Sequence, residues 1–206
     1  MITQEPANCT HLAAPNIVRT QKFVTAIAFA PELLSADYVE QCLAKNEKLP
    51  PEDYPLKDID GEKRLGFKLS DAVKRAKENK HHLLQDFAIY CTENIRGGFD
   101  TYKSIVEVNG GKCMLYRARA GSITSARGGG LDGSSAGTGP AKEEYVYLMS
   151  GTTLDEARLW PKFRQAVQGI GKVPRIVRTD WILDLALSQQ SHWQAGWELT
   201  EKDVGS

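Results

Sequence analysis

Pro31-Glu32-Leu33-Leu34-Ser35-Ala36-Asp37-Tyr38-Val39 returns without a gap as Pro174-Arg175-Ile176-Val177-Arg178-Thr179-Asp180-Trp181-Ile182. Proline, apolar pair, aspartate and aromatic recur at the same offsets, which implies two copies of one structural unit. In each copy a proline precedes a short apolar strand, and a Ser or Thr close to an Asp is placed to cap a helix that an aromatic opens. The helices also agree in phase. Tyr38, Val39, Cys42 and Leu43 form an i, i+1, i+4, i+5 stripe, repeated by Trp181, Ile182, Leu185 and Ala186, and both stripes are predicted to face a sheet.

Working outward, each strand is preceded by an amphipathic helix. Phe23, Val24 and Ile27 point inward in the first, and Trp160, Phe163 and Val167 in the second. Before these helices come strands at Thr10 to Ala13 and Tyr145 to Met149. Strand, helix, strand, helix is the pattern of a parallel α/β unit. The second copy has a further strand and helix in front, Phe87 to Cys91 and Phe99 to Val108, closed by Asn109-Gly110-Gly111 where a left-handed cap belongs. The first copy has only a short stretch ahead of Cys9, so it is predicted to lack its leading strand and helix.

The resulting organisation is a first module over residues 1–46, incomplete at its N-terminus, a connecting region over 47–82, and a second module over 83–200. Leu49-Pro50-Pro51-Glu52-Asp53-Tyr54-Pro55 is proline-rich and reads as an extended linker. Ser70 is predicted to cap a short helix that buries Ala72, Val73 and Ala76 and turns Lys74, Arg75, Lys77 and Glu78 to water. The glycine- and serine-rich stretch at about 120–142 reads as a flexible insertion between two strands.

Composition narrows the function classes. The 206 residues are 41% hydrophobic and 25% charged, enough apolar content to bury a core, and 26 basic residues balance 26 acidic ones. No global positive field advertises nucleic acid or an anionic membrane, and no apolar run is long enough to span a bilayer. Cys9, Cys42, Cys91 and Cys113 are too scattered for a metal site and read as reduced thiols. Gly128-Gly129-Gly130 lacks the Gly-Lys-Ser/Thr ending of a nucleotide loop, and no nucleophile elbow or paired-carboxylate constellation appears. The chain is therefore predicted to be non-enzymatic and to need no cofactor or metal.

Duplicated α/β modules, an aromatic at the start of the last helix, Gly110-Gly111 after the first helix and Arg19-Thr20-Gln21-Lys22-Phe23 in the middle helix together resemble the tandem BRCT repeat. The resemblance covers nearly the whole chain outside the linker and the glycine-rich stretch, and is nearest to the C-terminal repeat pairs of fungal multi-BRCT DNA-damage-response scaffolds. It implies a four-stranded parallel sheet flanked by helices in a complete module, and a nuclear scaffold that reads a phosphorylated peptide at the repeat junction. It also implies a site. Lys22 matches the phosphate-binding lysine of the family, Arg19 the arginine that takes a ligand's terminal carboxylate, and Thr20 stands between them. The implied partner is a phosphorylated protein, with the phosphorylated C-terminal tail of a core histone as the preferred ligand.

The chemistry of those residue types agrees, because a phosphate carries about −1.5 to −2 charges and is well met by a lysine and a planar guanidinium near a helix start. Gly97, Gly98 and Phe99, at the start of the second module's first helix, are predicted as a groove wall. Thr92 with Lys162 forms a weaker second candidate, because Glu93 follows Thr92 where the family pattern has glycine and would repel phosphate. Two other functions compete. One is a phosphate-independent protein-interaction module; the other is DNA-end binding through Lys74, Arg75, Lys77 and Lys80, which the balanced net charge disfavours as a direct contact.

Overall fold

The computed structural model describes residues 5–118, 123 and 145–205. The chain divides into two compact units: Met1–Leu83 with Ile182–His192, and Leu84–Trp181 with Trp193–Ser206. In chain order the elements are β1 (His11–Ala14), α1 (Gln21–Ile27), β2 (Glu32–Ser35), α2 (Asp37–Lys45), α3 (Ile59–Leu65), α4 (Leu69–Asn79), β3 (Ala88–Thr92), α5 (Phe99–Val108), β4 (Lys112–Tyr116), β5 (Tyr145–Met149), α6 (Leu154–Ala157), α7 (Trp160–Gly169), β6 (Val173–Val177) and α8 (Asp180–Ser188). The predicted insertion at about 120–142 lies, residue 123 excepted, outside the described residues.

The second unit carries a four-stranded, all-parallel sheet in the order β4-β3-β5-β6. Alternation along the strands sends Tyr90, Tyr116, Val146, Leu148 and Ile176 to one core, which α7 closes with Trp160, Phe163 and Val167. Tyr90, Tyr116 and Phe163 meet edge to face, the favoured arrangement for aromatic quadrupoles. Against the sheet's other residues, Trp181 stacks on Tyr147 with ring centroids 4.5 Å apart. Gly110 takes a positive φ of 82° directly after α5, and the Gly111 N–H donates to the Val106 carbonyl, so the predicted left-handed cap is present.

The first unit holds a two-stranded parallel sheet, β1 with β2, in the register His11↔Glu32 through Ala14↔Ser35. Among its described residues this is the only sheet, against four strands in the second unit. Phe23, Val24 and Ile27 of α1 are buried as their spacing predicts. The stripe on α2 behaves differently. No residue of α2 is buried, and Val39 and Leu43 are 44% and 75% exposed, so this stripe does not reach a core. The helix also starts without a side-chain cap: its N-cap position is Ala36, one residue beyond Ser35.

The connecting region is more structured than its prolines suggest. Pro51–Asp53 forms a 3-10 turn. The chain then returns antiparallel along the outer edge of β2: the Ser35 N–H donates to the Tyr54 carbonyl, and the Leu56 N–H donates to the Leu33 carbonyl. The second unit repeats the device at equivalent positions, with the Arg178 N–H donating to Trp197 and the Leu199 N–H to Ile176. Proline fits here because Pro55 sits opposite Leu34, where neither bond requires its missing N–H. The stretch read as a linker thus protects the edge of the first sheet. Asp58 caps α3 by accepting the Gly61 N–H at 2.8 Å. α4 begins at Leu69, so Ser70 lies inside the helix and Lys68 is its N-cap.

Candidate functional site

Thr20 has extended backbone geometry, and its hydroxyl accepts the Phe23 N–H at 3.4 Å, which makes it the N-cap of α1. α1 therefore starts at Gln21. Lys22 stands on its first turn, while Arg19, read from the sequence as part of this helix, lies outside it. The Arg19 guanidinium hydrogen-bonds and ion-pairs with Asp184 of α8, a residue of the same compact unit. Arg19 retains 34% side-chain exposure and Asp184 23%, so the pair is reachable from solvent. Lys22 is exposed. The structure thus brings Arg19, Thr20 and Lys22 together at the opening of α1, with Thr20 engaged in shaping that opening and Arg19 held by a carboxylate.

Gly97, Gly98 and Phe99 form the turn into α5 in the second unit. Gly97 and Gly98 have φ of 96° and 85°, a region open to glycine and strained for other residues. A Cβ on Gly97 would stand 2.7 Å from the Tyr102 hydroxyl oxygen, and that hydroxyl donates to the Arg96 carbonyl at 2.8 Å. Both glycines are exposed and Phe99 is half-buried, so the turn offers backbone and an aromatic edge to solvent.

The weaker candidate at Thr92 is resolved by a residue that sequence reading missed. Thr92 is fully buried, and its hydroxyl donates to a Glu156 carboxylate oxygen at 2.6 Å. The same carboxylate accepts the Gly151 N–H at 2.9 Å and the Thr153 hydroxyl at 3.0 Å, and Glu156 is only 3% exposed. A carboxylate already fills the place where an anion would meet Thr92. Glu93 pairs through two bonds with Arg117, at 2.7 and 3.1 Å, which neutralises the cation at the neighbouring cleft lined by Asn94, Tyr116 and Asp155. Lys162 does not line that cleft.

Of the basic residues on α4, Arg75 is committed: its Nε–H donates to the Ser188 carbonyl at 2.8 Å. Lys80 ends the helix in a left-handed conformation with φ 47°. Cys91 and Cys113 are buried free thiols on adjacent strands, and the neighbouring Cys113 thiol, followed by burial, pushes the Cys91 thiol above its ordinary pKa. Among the described residues no group of three or more His, Cys, Asp or Glu side chains is placed to hold a metal, and no helix is long and apolar enough to cross a membrane.

A strand with an antiparallel return in each unit, and a four-stranded parallel sheet in the second, is the architecture of solved tandem BRCT pairs. The chain has this fold and resembles the C-terminal pairs of fungal DNA-damage scaffolds. Residues 1–56 match the family model described as the Regulator of Ty1 transposition protein 107 BRCT domain. The S. pombe Brc1 BRCT5-BRCT6 structure is similar over 92% of this chain and 82% of that one, with a TM-score of 0.68 and 27% identity. The structure of Rtt107p in complex with a phosphorylated histone covers 99% of this chain and 79% of that one, with a TM-score of 0.63; at 16% identity the likeness is one of fold.

Among curated relatives, BRCT-containing protein 1 of Schizosaccharomyces pombe is 39% identical over 118 residues, 54% of this chain. The human Mediator of DNA damage checkpoint protein 1 is 34% identical over 114 residues, 55% of this chain. The matched regions span only 13% and 5% of those relatives' own lengths.

Proposed function

We propose that the chain is a non-enzymatic, nuclear scaffold module of the DNA-damage response that binds a phosphorylated peptide through Lys22 and Arg19, with the phosphorylated C-terminal tail of a core histone as its ligand. The observation that carries this reading is the pairing of an exposed lysine with a solvent-reachable guanidinium at the opening of α1. Those residues fall within the part of the chain that matches the BRCT family model. A fold neighbour, Rtt107p, has been solved in complex with a phosphorylated histone, and a relative is named for the DNA damage checkpoint.

Lys22 supplies a full positive charge to the phosphate. Arg19 presents a planar fork that Asp184 holds in place and that a ligand carboxylate engages in exchange for, or beside, Asp184. Thr20 contributes by fixing the helix start rather than by touching the ligand. In the second unit, the exposed glycine backbone at Gly97 and Gly98, with Phe99, is proposed as a peptide contact in its own right.

The test is a calorimetric titration with a phosphorylated histone-tail peptide ending in a free carboxylate, beside its unphosphorylated and its C-terminally amidated twins. The phosphorylated free acid binds best. Lys22→Ala removes about 1.5–3 kcal/mol, the range of a charge-assisted hydrogen bond, and narrows the gap between the phosphorylated and unphosphorylated peptides. Arg19→Ala narrows the gap between free acid and amide. Equal binding of phosphorylated and unphosphorylated peptides by the wild-type chain would refute the proposal.

A further inference from the structure

Within the first unit, β2, the turn at Pro51–Asp53 and the helices α3 and α4 enclose an open groove of about 500 Å³. Its apolar lining includes Leu33, Leu34, Leu56 and Val73. Leu34 and Leu56 are buried and form a fixed floor, while Leu33 and Val73 are half-buried and leave part of their surface for another molecule. The charged lining is one-sided. Glu32, Glu52 and Glu62 face the groove, against a single cation, Lys77. Glu62 is partly used inside the unit, accepting the Leu69 N–H at 2.8 Å, and Glu32 lies 3.2 Å from His11. Glu52 and Glu32 are exposed at the groove rim.

An apolar trough with an acidic rim selects against phosphate and for cations. We propose that this groove is a second, phosphate-independent docking site for a short extended peptide segment of a partner protein, one with an apolar side chain flanked by Lys or Arg. The apolar side chain lies against Leu33 and Val73, and the basic flanks meet Glu32 and Glu52. Its preference is opposite in sign to that of Arg19 and Lys22, so the two sites take different ligands and are separable by mutation.

The experiment selects a phage-displayed library of unphosphorylated random peptides of about eight residues, enough to cross such a groove at roughly 3.3 Å per residue, on the full chain. The strongest peptide is then titrated by fluorescence anisotropy against variants. The expected consensus is apolar with Lys or Arg beside it. Each of Glu32→Lys and Glu52→Lys weakens the selected peptide by about two- to fivefold, and the double variant by about tenfold. Lys77→Glu strengthens it, and Lys22→Ala leaves it unchanged while reducing phosphopeptide binding. Both glutamates are exposed, so their variants fold, as circular dichroism checks. Failure to enrich any peptide, an acidic or uncharged consensus, or equal affinity for wild type and the double variant each overturns the proposal, and none of these outcomes bears on the phosphopeptide reading.

Discussion

Glu156 shows how a single buried carboxylate satisfies the polar groups around Thr92 in the second unit. It accepts hydrogen bonds from Thr92, Gly151 and Thr153, and a Cβ on Gly151 would stand 2.3 Å from its Oε2, so glycine is needed for this approach. Truncation leaves the Thr92 hydroxyl and the Gly151 N–H without their acceptor in a buried setting. Glu156→Ala is therefore expected to destabilise the second unit by about 2–4 kcal/mol, read as a lower urea midpoint in far-ultraviolet circular dichroism. The equivalent loss at Lys22 is expected to be negligible for stability, because that side chain is exposed. Thr92 was legible in the sequence as a potential anion contact. Its satisfaction by a glutamate 64 positions away was not, since pairing across that separation is set by the packing of α6 against the end of β3 and by no local pattern.

At the scale of elements, periodicity and spacing were informative where a helix buries one face on a sheet of its own unit. The inward residues of α1 and α7 were legible for that reason. The α2 stripe has the same periodicity yet buries none of its residues: Val39 and Leu43 stay exposed while Tyr38 and Cys42 are half-buried against the connecting segment, because a repeat spacing reports amphipathicity and carries no information on which surface it meets. The antiparallel returns were also missed, although a signal existed. Tyr54-Pro55-Leu56 and Trp197-Glu198-Leu199 stand at equal distances after the duplicated strands, aromatic and leucine matched, and an alignment of the repeat carried past its helix would have found them.

α3, another unforeseen element, depends on Asp58, whose carboxylate also accepts the Ile17 N–H at 2.8 Å and so ties the helix start to the segment after β1. These two backbone donors, Ile17 first and Gly61 second, hold its pKa below the ordinary aspartate value. A depressed folded-state pKa means that the contribution is fully present above the unfolded value of about 3.9 and is lost as pH falls through the lower folded value. Wild type is expected to lose stability relative to Asp58→Asn over that acid range, so that the gap between their denaturation midpoints narrows on acidification. A pH-independent gap would mean that Asp58 acts by shape alone.

For the whole molecule, the duplicated segment made the α/β class and the two-module plan legible, yet the first unit is not continuous in sequence. It includes Ile182–His192, and three polar ties bind that segment to it: Arg19 to Asp184, Arg75 to the Ser188 carbonyl, and the Asn79 amide to the Gln189 carbonyl at 2.9 Å. Each joins residues more than 100 positions apart, which is why α8 read simply as the last helix of the second copy. A fragment of residues 1–83 loses all three ties and the apolar side chains of Ile182 and Leu185, both fully buried. At roughly 1 kcal/mol per hydrogen bond and about 1.5–3 kcal/mol per buried aliphatic side chain, the loss is comparable with the whole stability of a small domain. The fragment is expected to show no cooperative melt, and amide exchange at Val24 and Ile27 is expected to be far faster than in the full chain. A synthetic peptide spanning residues 180–192, added in trans, should restore protection at those amides in proportion to its concentration. If the fragment alone protects Val24 and Ile27 as well as the full chain does, residues 1–83 carry their own stability and the helix after Trp181 is not needed for that part of the fold.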